Sequence, residues 1–352
     1  MADLVVAGAG MAGLVAAAEA RRLGARPLVQ EKLDRPGGSM RLSSGVIWRH
    51  RDFERFRAEC PGGDERLQRL LFERLDADLD WLESLGAPVV ERGTGNELTS
   101  GVRFDVEGLA AALAPSDLRL GAPLTTLPGD APLILATGGF GANRELLREH
   151  VTPQADDVMI RAAPGSTGDG LRIGLAAGGR TGAGLSHVYA RAMPAPPARV
   201  RPEQFVALSQ LYARHARVTN KHGEVHENAT WSEVDTATWM ARQPGARAWF
   251  RVDGGALDER VRERTVADMV AAAETACAPV ERDSDGVTVE CVAGVTTTLG
   301  GLAIDEHAQA APGVFACGAD AGGIATGGYA SGLAAALVFG RIAARAALGE
   351  SP

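Results

Sequence analysis

Cysteine is scarce and scattered. Cys60, Cys277, Cys291 and Cys317 lie far apart, with no Cys-x-x-Cys pair and no histidine spaced to share a metal with them. Neither a disulfide framework nor a zinc site is expected. Lysine is scarcer still: Lys32 and Lys221 are the only two, so nearly all the positive charge is arginine. Lys+Arg 36 against Asp+Glu 44 leaves a net charge of −8. No basic block stands out, which argues against nucleic acid and against an anionic membrane surface as partners. A membrane-spanning run is missing too, because the apolar stretch from Gly332 to Leu348 is broken by Arg341 and Arg345. The first strand is expected to open at Asp3, leaving no room for a signal peptide, so the expectation is a soluble, cytoplasmic protein. With 45% hydrophobic and 23% charged residues, wholesale disorder is excluded.

What the chain has in excess is glycine. Its 44 glycines are about 12% of the residues, where about 7% is usual. They show no internal period and cluster at the ends of apolar runs: 8–13, 37–38, 138–141, 165–170, 300–301 and 318–328. Glycine at a strand end lets a backbone approach another group closely. Several such loops in one chain suggest a large ligand touched at many points.

Leu4-Val5-Val6-Ala7 reads as a buried parallel strand. It runs into Gly8-Ala9-Gly10-Met11-Ala12-Gly13, then an alanine-rich helix to about Leu23, then a second strand Pro27–Gln30 ending at Glu31. This is a βαβ unit of the dinucleotide-binding kind, with a pyrophosphate expected on the helix N-terminus. Glu31, about twenty residues downstream, is placed to accept from a ribose hydroxyl, with Lys32 beside it. Leucines spaced by three and four predict a helix over 64–85, and a short helix is expected over 106–113. A strand over 132–136 ends in Thr137-Gly138-Gly139, a helix follows near 143–149, and the loop 165–170 opens a further helix. From about Ser186 to Ala293 the texture changes to four of the seven histidines and a cluster of aromatics that includes Trp231, Trp239 and Trp249. This stretch is expected to be a smaller inserted domain, with most of its aromatics in its own core. The first domain then resumes at 294–352, with a strand before Asp320 and a last helix from about Ser331.

Read together, these loops resemble a known family. Ala136-Thr137-Gly138-Gly139-Phe140-Gly141-Ala142-Asn143, Gly168-Asp169-Gly170, Thr298-Leu299-Gly300-Gly301-Leu302 and Val338-Phe339-Gly340-Arg341-Ile342-Ala343 are similar to the flavoproteins of the fumarate reductase, succinate dehydrogenase and 3-ketosteroid Δ1-dehydrogenase group. Gly37-Gly38-Ser39, followed by Ser43-Ser44-Gly45-Val46-Ile47-Trp48, resembles the ketosteroid-dehydrogenase branch most. The resemblance implies an α/β fold: a Rossmann-like FAD-binding domain over 1–185 and 294–352, with an inserted α+β capping domain over 186–293. It implies non-covalent FAD, since no histidine lies within Gly37–Ser44 to form a link. Gly38 and Ser39 would offer amides to a phosphate, and Ser43, Ser44 and Gly45 would lie beside the flavin ring. Asp169, with Ala136, Thr137 and Gly138, would complete the cofactor contacts. Asp320 would accept from the ribityl chain, and the helix N-terminus at Ser331, Gly332 and Leu333 would face the flavin pyrimidine edge.

The departures bear on substrate. Where the dicarboxylate enzymes carry a substrate-gripping histidine, this chain has Val295-Thr296-Thr297-Thr298, and Gly327 stands where they carry an arginine. In the segment His222–Glu227, Glu227 matches the family's glutamate, but the arginine that follows it there falls near Thr230 and Trp231. A dicarboxylate thus loses its clamps. Tyr329 lies near the ketosteroid branch's catalytic tyrosine, offset by two or three positions. Arg191 lies close to a histidine of the dicarboxylate enzymes, and His187 and Tyr189 are further candidates for proton transfer. Between Asp105 and Pro132 the family's extended β-meander shrinks to a short helix and one or two brief strands. There is no second glycine fingerprint for a nicotinamide cofactor. The expectation is an FAD oxidoreductase that desaturates a C–C bond next to the carbonyl of an apolar or cyclic small molecule, passing hydride to flavin N5. Two alternatives are an enoate-type reductase running in reverse and an FAD-binding module whose catalysis has decayed. The electron partner and oligomeric state are left open.

Overall fold

The computed structural model describes residues 2–228 and 233–351. Trp231 and Thr230, named above, lie outside the described residues. The chain divides into two compact units: one holds residues up to Asn143, Ala163–His187 and everything from Thr298 on, and the other holds Arg144–Ala162 and Val188–Thr297. This division differs from a single insertion at 186–293 because Met159–Ile160 pairs in parallel with Gly294 and Val295, which draws 144–162 into the second unit.

The first unit is built on a five-stranded sheet. Its order is Gln309–Ala311, Val314–Ala316, Leu133–Leu135, Leu4–Ala7 and Pro27–Gln30, parallel throughout except for the outer hairpin. The three central strands read LVVA, LIL and VFA and are buried, as expected of a sheet covered on both faces. Helix Met11–Arg22 packs against the last helix, Gly332–Ala347, and Gly340 permits the approach, since a Cβ there would sit 2.8 Å from the Ala12 carbonyl oxygen. An ionic knot crosses this contact. Glu19, fully buried, accepts from Arg345 at 2.8 Å and Arg341 at 3.3 Å; Arg341 also bonds Asp78 and lies 4.4 Å over the Trp81 ring.

Asp78 and Trp81 belong to helix Glu65–Ser84, capped by Asp64 and turning Leu67, Leu71, Leu75, Leu79 and Leu82 inward. A three-stranded antiparallel sheet, Val46–His50, Thr99–Phe104 and Val89–Arg92, lies in the same unit. Between Asp105 and Pro132 the structure has helix Val106–Leu113 and then only an isolated bridge of Gln30 to Arg119 among its described residues, fewer strands than the sequence suggested.

The second unit is organised by Gly286–Thr298, a long strand that pairs antiparallel with Arg247–Asp253 and Val280–Arg282 and also takes in Val188–Pro194. Helices Val234–Arg242 and Val266–Thr275 belong to it. Its core is filled by Tyr212 and Phe250, edge-on at 5.7 Å, while Trp239 and Trp249 are only half-buried. Trp239 instead stacks on His226 at 4.9 Å. Among the described residues no helix is long and apolar enough to cross a membrane, and no cluster of His, Cys, Asp and Glu could hold a metal.

Candidate cofactor and active site

The strand Leu4–Ala7 delivers the chain into a turn that only glycine can make. Gly8 has φ 101°, and a Cβ there would overlap the Ala136 carbonyl oxygen; one on Gly13 would overlap the Gly8 carbonyl. Gly10 is different. It caps the first helix in an extended conformation, and nothing lies within 4 Å of where its Cβ would be. Met11 and Ala12 continue the helix, both buried. Gly38 closes the other side, with a Cβ position 3.2 Å from the Gly10 Cα, and the Gly37 amide donates to Ala9 at 2.8 Å. The result is an open cradle at a twelve-residue helix N-terminus, which fits the pyrophosphate of a dinucleotide. Ser39 is fixed beside it, its hydroxyl accepting from the Ala163 amide at 3.2 Å.

Glu31 is drawn into the cradle itself. Its two carboxylate oxygens accept from the Ala9 and Leu33 amides at 2.6 and 2.8 Å, so it braces the glycine turn and has only its remaining lone pairs for a ribose. Lys32 reaches Thr167 at 2.6 Å and Asp169 at 2.7 Å, pairing two residues that the sequence assigned separately to the cofactor.

Two of the expected contact residues also serve the fold itself. Asp320 does not face an open edge. It is buried, its carboxylate accepts from the Thr137 amide, the Thr137 hydroxyl and, at 3.0 Å, the Gly139 amide, and a Cβ on Gly170 would overlap it. Burial raises its pKa despite these bonds. Asp320 therefore holds the Thr137–Gly139 loop, Gly138 included, and has little acceptor capacity left over. Gly45 likewise has φ 75° and a Cβ position overlapping the Phe104 carbonyl, so packing within its own sheet requires the glycine. Ser43 turns inward, donating to Met40 and accepting from Gly45, while Ser44 is exposed.

At the last helix, Ser331 caps Ala334 at 3.2 Å, Leu333 is half-buried, and Gly332 is exposed with open space at its Cβ position. Tyr329 stands just before this N-terminus, its ring 5.6 Å from that of Trp48. The third member, His50, belongs to no motif. Its ring is fully buried, edge-on to Trp48 at 5.3 Å and stacked on Phe56 at 5.3 Å. Burial pushes its pKa down to about 4 against a hydrogen bond to the Tyr329 backbone, so it is neutral at neutral pH. Gly327 has φ 93°, a conformation that would strain an arginine. His187 is half-buried, with its backbone held by Gly184 and Leu299.

In the second unit, Tyr189 and Arg191 lie on one face of their strand, with the Arg191 Nε donating to the Tyr189 hydroxyl at 2.8 Å. Burial pushes the Tyr189 phenol up, but Arg191, Arg161 and Arg262 outweigh it and leave its pKa below the ordinary value. Arg161, which the sequence reading passed over, is 5% exposed; it donates to the Thr296 hydroxyl at 3.0 Å and the Phe205 carbonyl at 3.3 Å. Glu233, also buried, faces Arg191 and Arg262, and burial raises its pKa. Gly294, in the middle of a strand, was the available signal for Arg161: a Cβ there would lie 2.5 Å from the arginine Cδ.

A glycine cradle at a helix N-terminus on a parallel sheet defines a dinucleotide-binding fold. The chain belongs to the FAD binding domain family, whose sequence profile matches residues 3–116 and 121–333. It is an FAD-dependent oxidoreductase. Among solved structures it is similar to a flavocytochrome c3 fumarate reductase in its open conformation, at 21% identity and a TM-score of 0.72, covering 99% of this chain and 78% of that one. It is also similar to the 3-ketosteroid-delta4-(5alpha)-dehydrogenase of Rhodococcus jostii RHA1, at 19% identity and a TM-score of 0.70, covering 99% and 96%. A third is the 3-ketosteroid delta1-dehydrogenase of Sterolibacterium denitrificans, at 16% identity and a TM-score of 0.72, covering 99% of each.

Proposed function

We propose that this oxidoreductase acts on a C–C bond adjacent to a carbonyl and works as a desaturase, with the second unit as its substrate-side, capping domain. The observation that carries this reading is the placement of Tyr329, held edge-on by Trp48 immediately ahead of the open helix N-terminus at Ser331 and Gly332. FAD, held non-covalently along the cradle of Gly8, Gly10, Gly13, Gly38 and Ser39, supplies the two-electron acceptor. The chain's own residues do the rest. Ser331, Gly332 and Leu333, at the open N-terminus of the last helix, would hold the flavin's pyrimidine edge with amides and the helix dipole. Tyr329 takes or returns the proton on the carbon next to the one that is oxidised. His50, neutral and fully buried, backs the Trp48 ring that faces Tyr329.

Anaerobic flavin bleaching tests the reading. Protein loaded with FAD is mixed with ketosteroids, cyclic ketones and acyl acids, and the flavin absorbance is followed. Bleaching by a saturated carbonyl compound, with the unsaturated product formed one-to-one, is the expected result. Reoxidation of dithionite-reduced flavin by enones alone would reverse the direction to reductase. Silence in both directions would leave a binding module.

A further inference from the structure

We propose that Gln68 is a positioning residue of this oxidoreductase: its buried side-chain amide fixes the glycine-rich loop that carries Tyr329 to the N-terminus of the last helix. The purpose of that hold rests on the reading of Tyr329 given above; the hold itself is argued from the hydrogen bonds of the first unit alone.

Residues 322–331 read Gly-Gly-Ile-Ala-Thr-Gly-Gly-Tyr-Ala-Ser, with Gly323 at φ 84° and Gly327 at φ 93°. Such a run has little conformational preference of its own, so its course is imposed by what it touches. The turn between helix Phe53–Glu59 and helix Glu65–Ser84 supplies one grip. Its Asp64 amide donates to the Gly323 carbonyl at 2.7 Å, and its Gly62 amide donates to the Thr326 carbonyl at 3.0 Å. A Cβ on Gly328 would overlap the Glu59 carbonyl oxygen, so the two backbones approach as closely as glycine allows. A second grip comes from the Thr326 hydroxyl, which donates to the Ala183 carbonyl at 3.2 Å.

Gln68 joins these parts. It stands between Leu67 and Leu71 on the inward face of its helix and is fully buried. A polar side chain in that place is costly unless it is bonded. Its Nε2 donates to the Cys60 carbonyl at 2.9 Å and to the Ile324 carbonyl at 2.8 Å, and its Oε1 accepts from Arg57. Arg57 also donates to the Gly63 carbonyl at 2.8 Å, which ties the amide to the turn. Gly63 makes room for the arrangement: a Cβ there would lie 2.1 Å from the Gln68 Nε2 and 2.5 Å from the Ile324 carbonyl oxygen. An apolar side chain at 68 would fill the space and leave both carbonyls unpaired. The carbonyls of residues 323, 324 and 326 are thus held, and the Tyr329 ring is set against Trp48. The tyrosine is fixed both at its ring and along the backbone that leads to it. Precision of this kind matters for proton transfer, where a misplacement of about 1 Å can cost roughly a hundred-fold in rate.

Hydrogen exchange of the FAD-loaded protein tests the hold, and a double-mutant cycle with Tyr329→Phe tests its purpose. In Gln68→Met, segments 60–66 and 322–331 should exchange at least about ten-fold faster, the scale of one lost hydrogen bond, with the strand Leu133–Leu135 unchanged. Flavin reduction by an active substrate should slow roughly ten- to a hundred-fold. In the Tyr329→Phe background the same substitution should slow it by less than about two-fold, because a residue that acts through the hydroxyl has nothing left to position. If the methionine variant fails to fold, Gln68→Glu keeps the length and the Arg57 bond but loses the two donations, and the same results are expected of it. Unchanged exchange in both segments overturns the proposal, as does a full rate loss in the Tyr329→Phe background. Faster exchange together with a fully active Tyr329→Phe, or with no flavin reduction by any substrate, upholds the hold and counts against the proposed function instead.

Discussion

The Trp48 indole meets the Tyr329 ring at 5.6 Å between centroids and 63° between planes. Trp48 is itself 8% exposed and braced by His50, so this contact is a fixed wall rather than a surface encounter. A phenyl ring would keep the contact and lose only the hydroxyl. Tyr329→Phe should therefore retain the flavin spectrum and the thermal midpoint while lowering the rate of flavin reduction at least about a hundred-fold, as expected for lost acid–base catalysis. Stopped-flow reduction by an active substrate checks this. A fully active variant would move the proton chemistry to Arg191 or Tyr189.

Glu31 both braces the glycine turn and is the ribose candidate. Glu31→Ala removes the acceptor of the buried Ala9 amide as well as any bond to FAD. Fluorescence titration should show FAD affinity roughly ten- to a hundred-fold weaker, the worth of a hydrogen bond to a charged group. The protein without FAD should also be less stable by about 1–3 kcal/mol, the cost of leaving a buried amide unpaired. A loss of affinity with unchanged stability would mean that the brace contributes nothing.

His50 makes a pH prediction with a definite sign. Its folded pKa of about 4 lies below the ordinary 6.5, so the unfolded chain takes up a proton first as pH falls. Stability from this site is complete above pH 6.5, declines as pH drops toward 4, and levels off below that. Between pH 7 and pH 5 the loss should be about 2 kcal/mol more than in His50→Phe, which cannot titrate. Denaturant midpoints for the two proteins at both pH values measure the difference. Parallel pH profiles would show that the ring takes up its proton as readily in the folded state as in the unfolded one.

Thiol chemistry should single out one residue. Burial pushes the Cys60 thiol up to about 12 and raises Cys291 and Cys317 as well, whereas Cys277 is exposed. A disulfide reagent should label one thiol quickly in the native protein and all four after denaturation, and Cys277→Ser should abolish the fast phase.

Local pattern carried much of the fold. The alternation of apolar runs and glycines from Leu4 to Gln30 placed the first βαβ unit, and leucines three and four apart placed the helix Glu65–Ser84 within a residue at each end. The cradle was legible where the backbone demands glycine, as at Gly8 and Gly13. That Asp320 anchors Thr137 and Gly139 was not legible, because these partners are distant in sequence and nothing local shows which way a carboxylate points. Arg161 and His50 escaped for the same reason: each is a single polar residue in no motif, and its significance comes from Thr296 or Tyr329 brought to it by the fold. The short pairing of Met159–Ile160 with Gly294–Val295 is equally silent in sequence, and it decides the unit to which 144–162 belong.

The knot of Glu19 with Arg341 and Arg345 has a consequence for how the protein is made. The first helix emerges from the ribosome early and brings only Arg22 to its Glu19 carboxylate, whereas Arg341 and Arg345, which hold that carboxylate in the interior, arrive with the last helix. The strand Val314–Ala316, which flanks Leu133–Leu135 in the sheet, comes almost as late. At roughly 5–20 residues per second the N-terminal segment waits many seconds for its partners. Nascent chains arrested before residue 314 should accordingly be cut by protease within residues 1–30, and chains released past residue 345 should resist. Protection of the short arrested chains would show that the first βαβ unit folds alone.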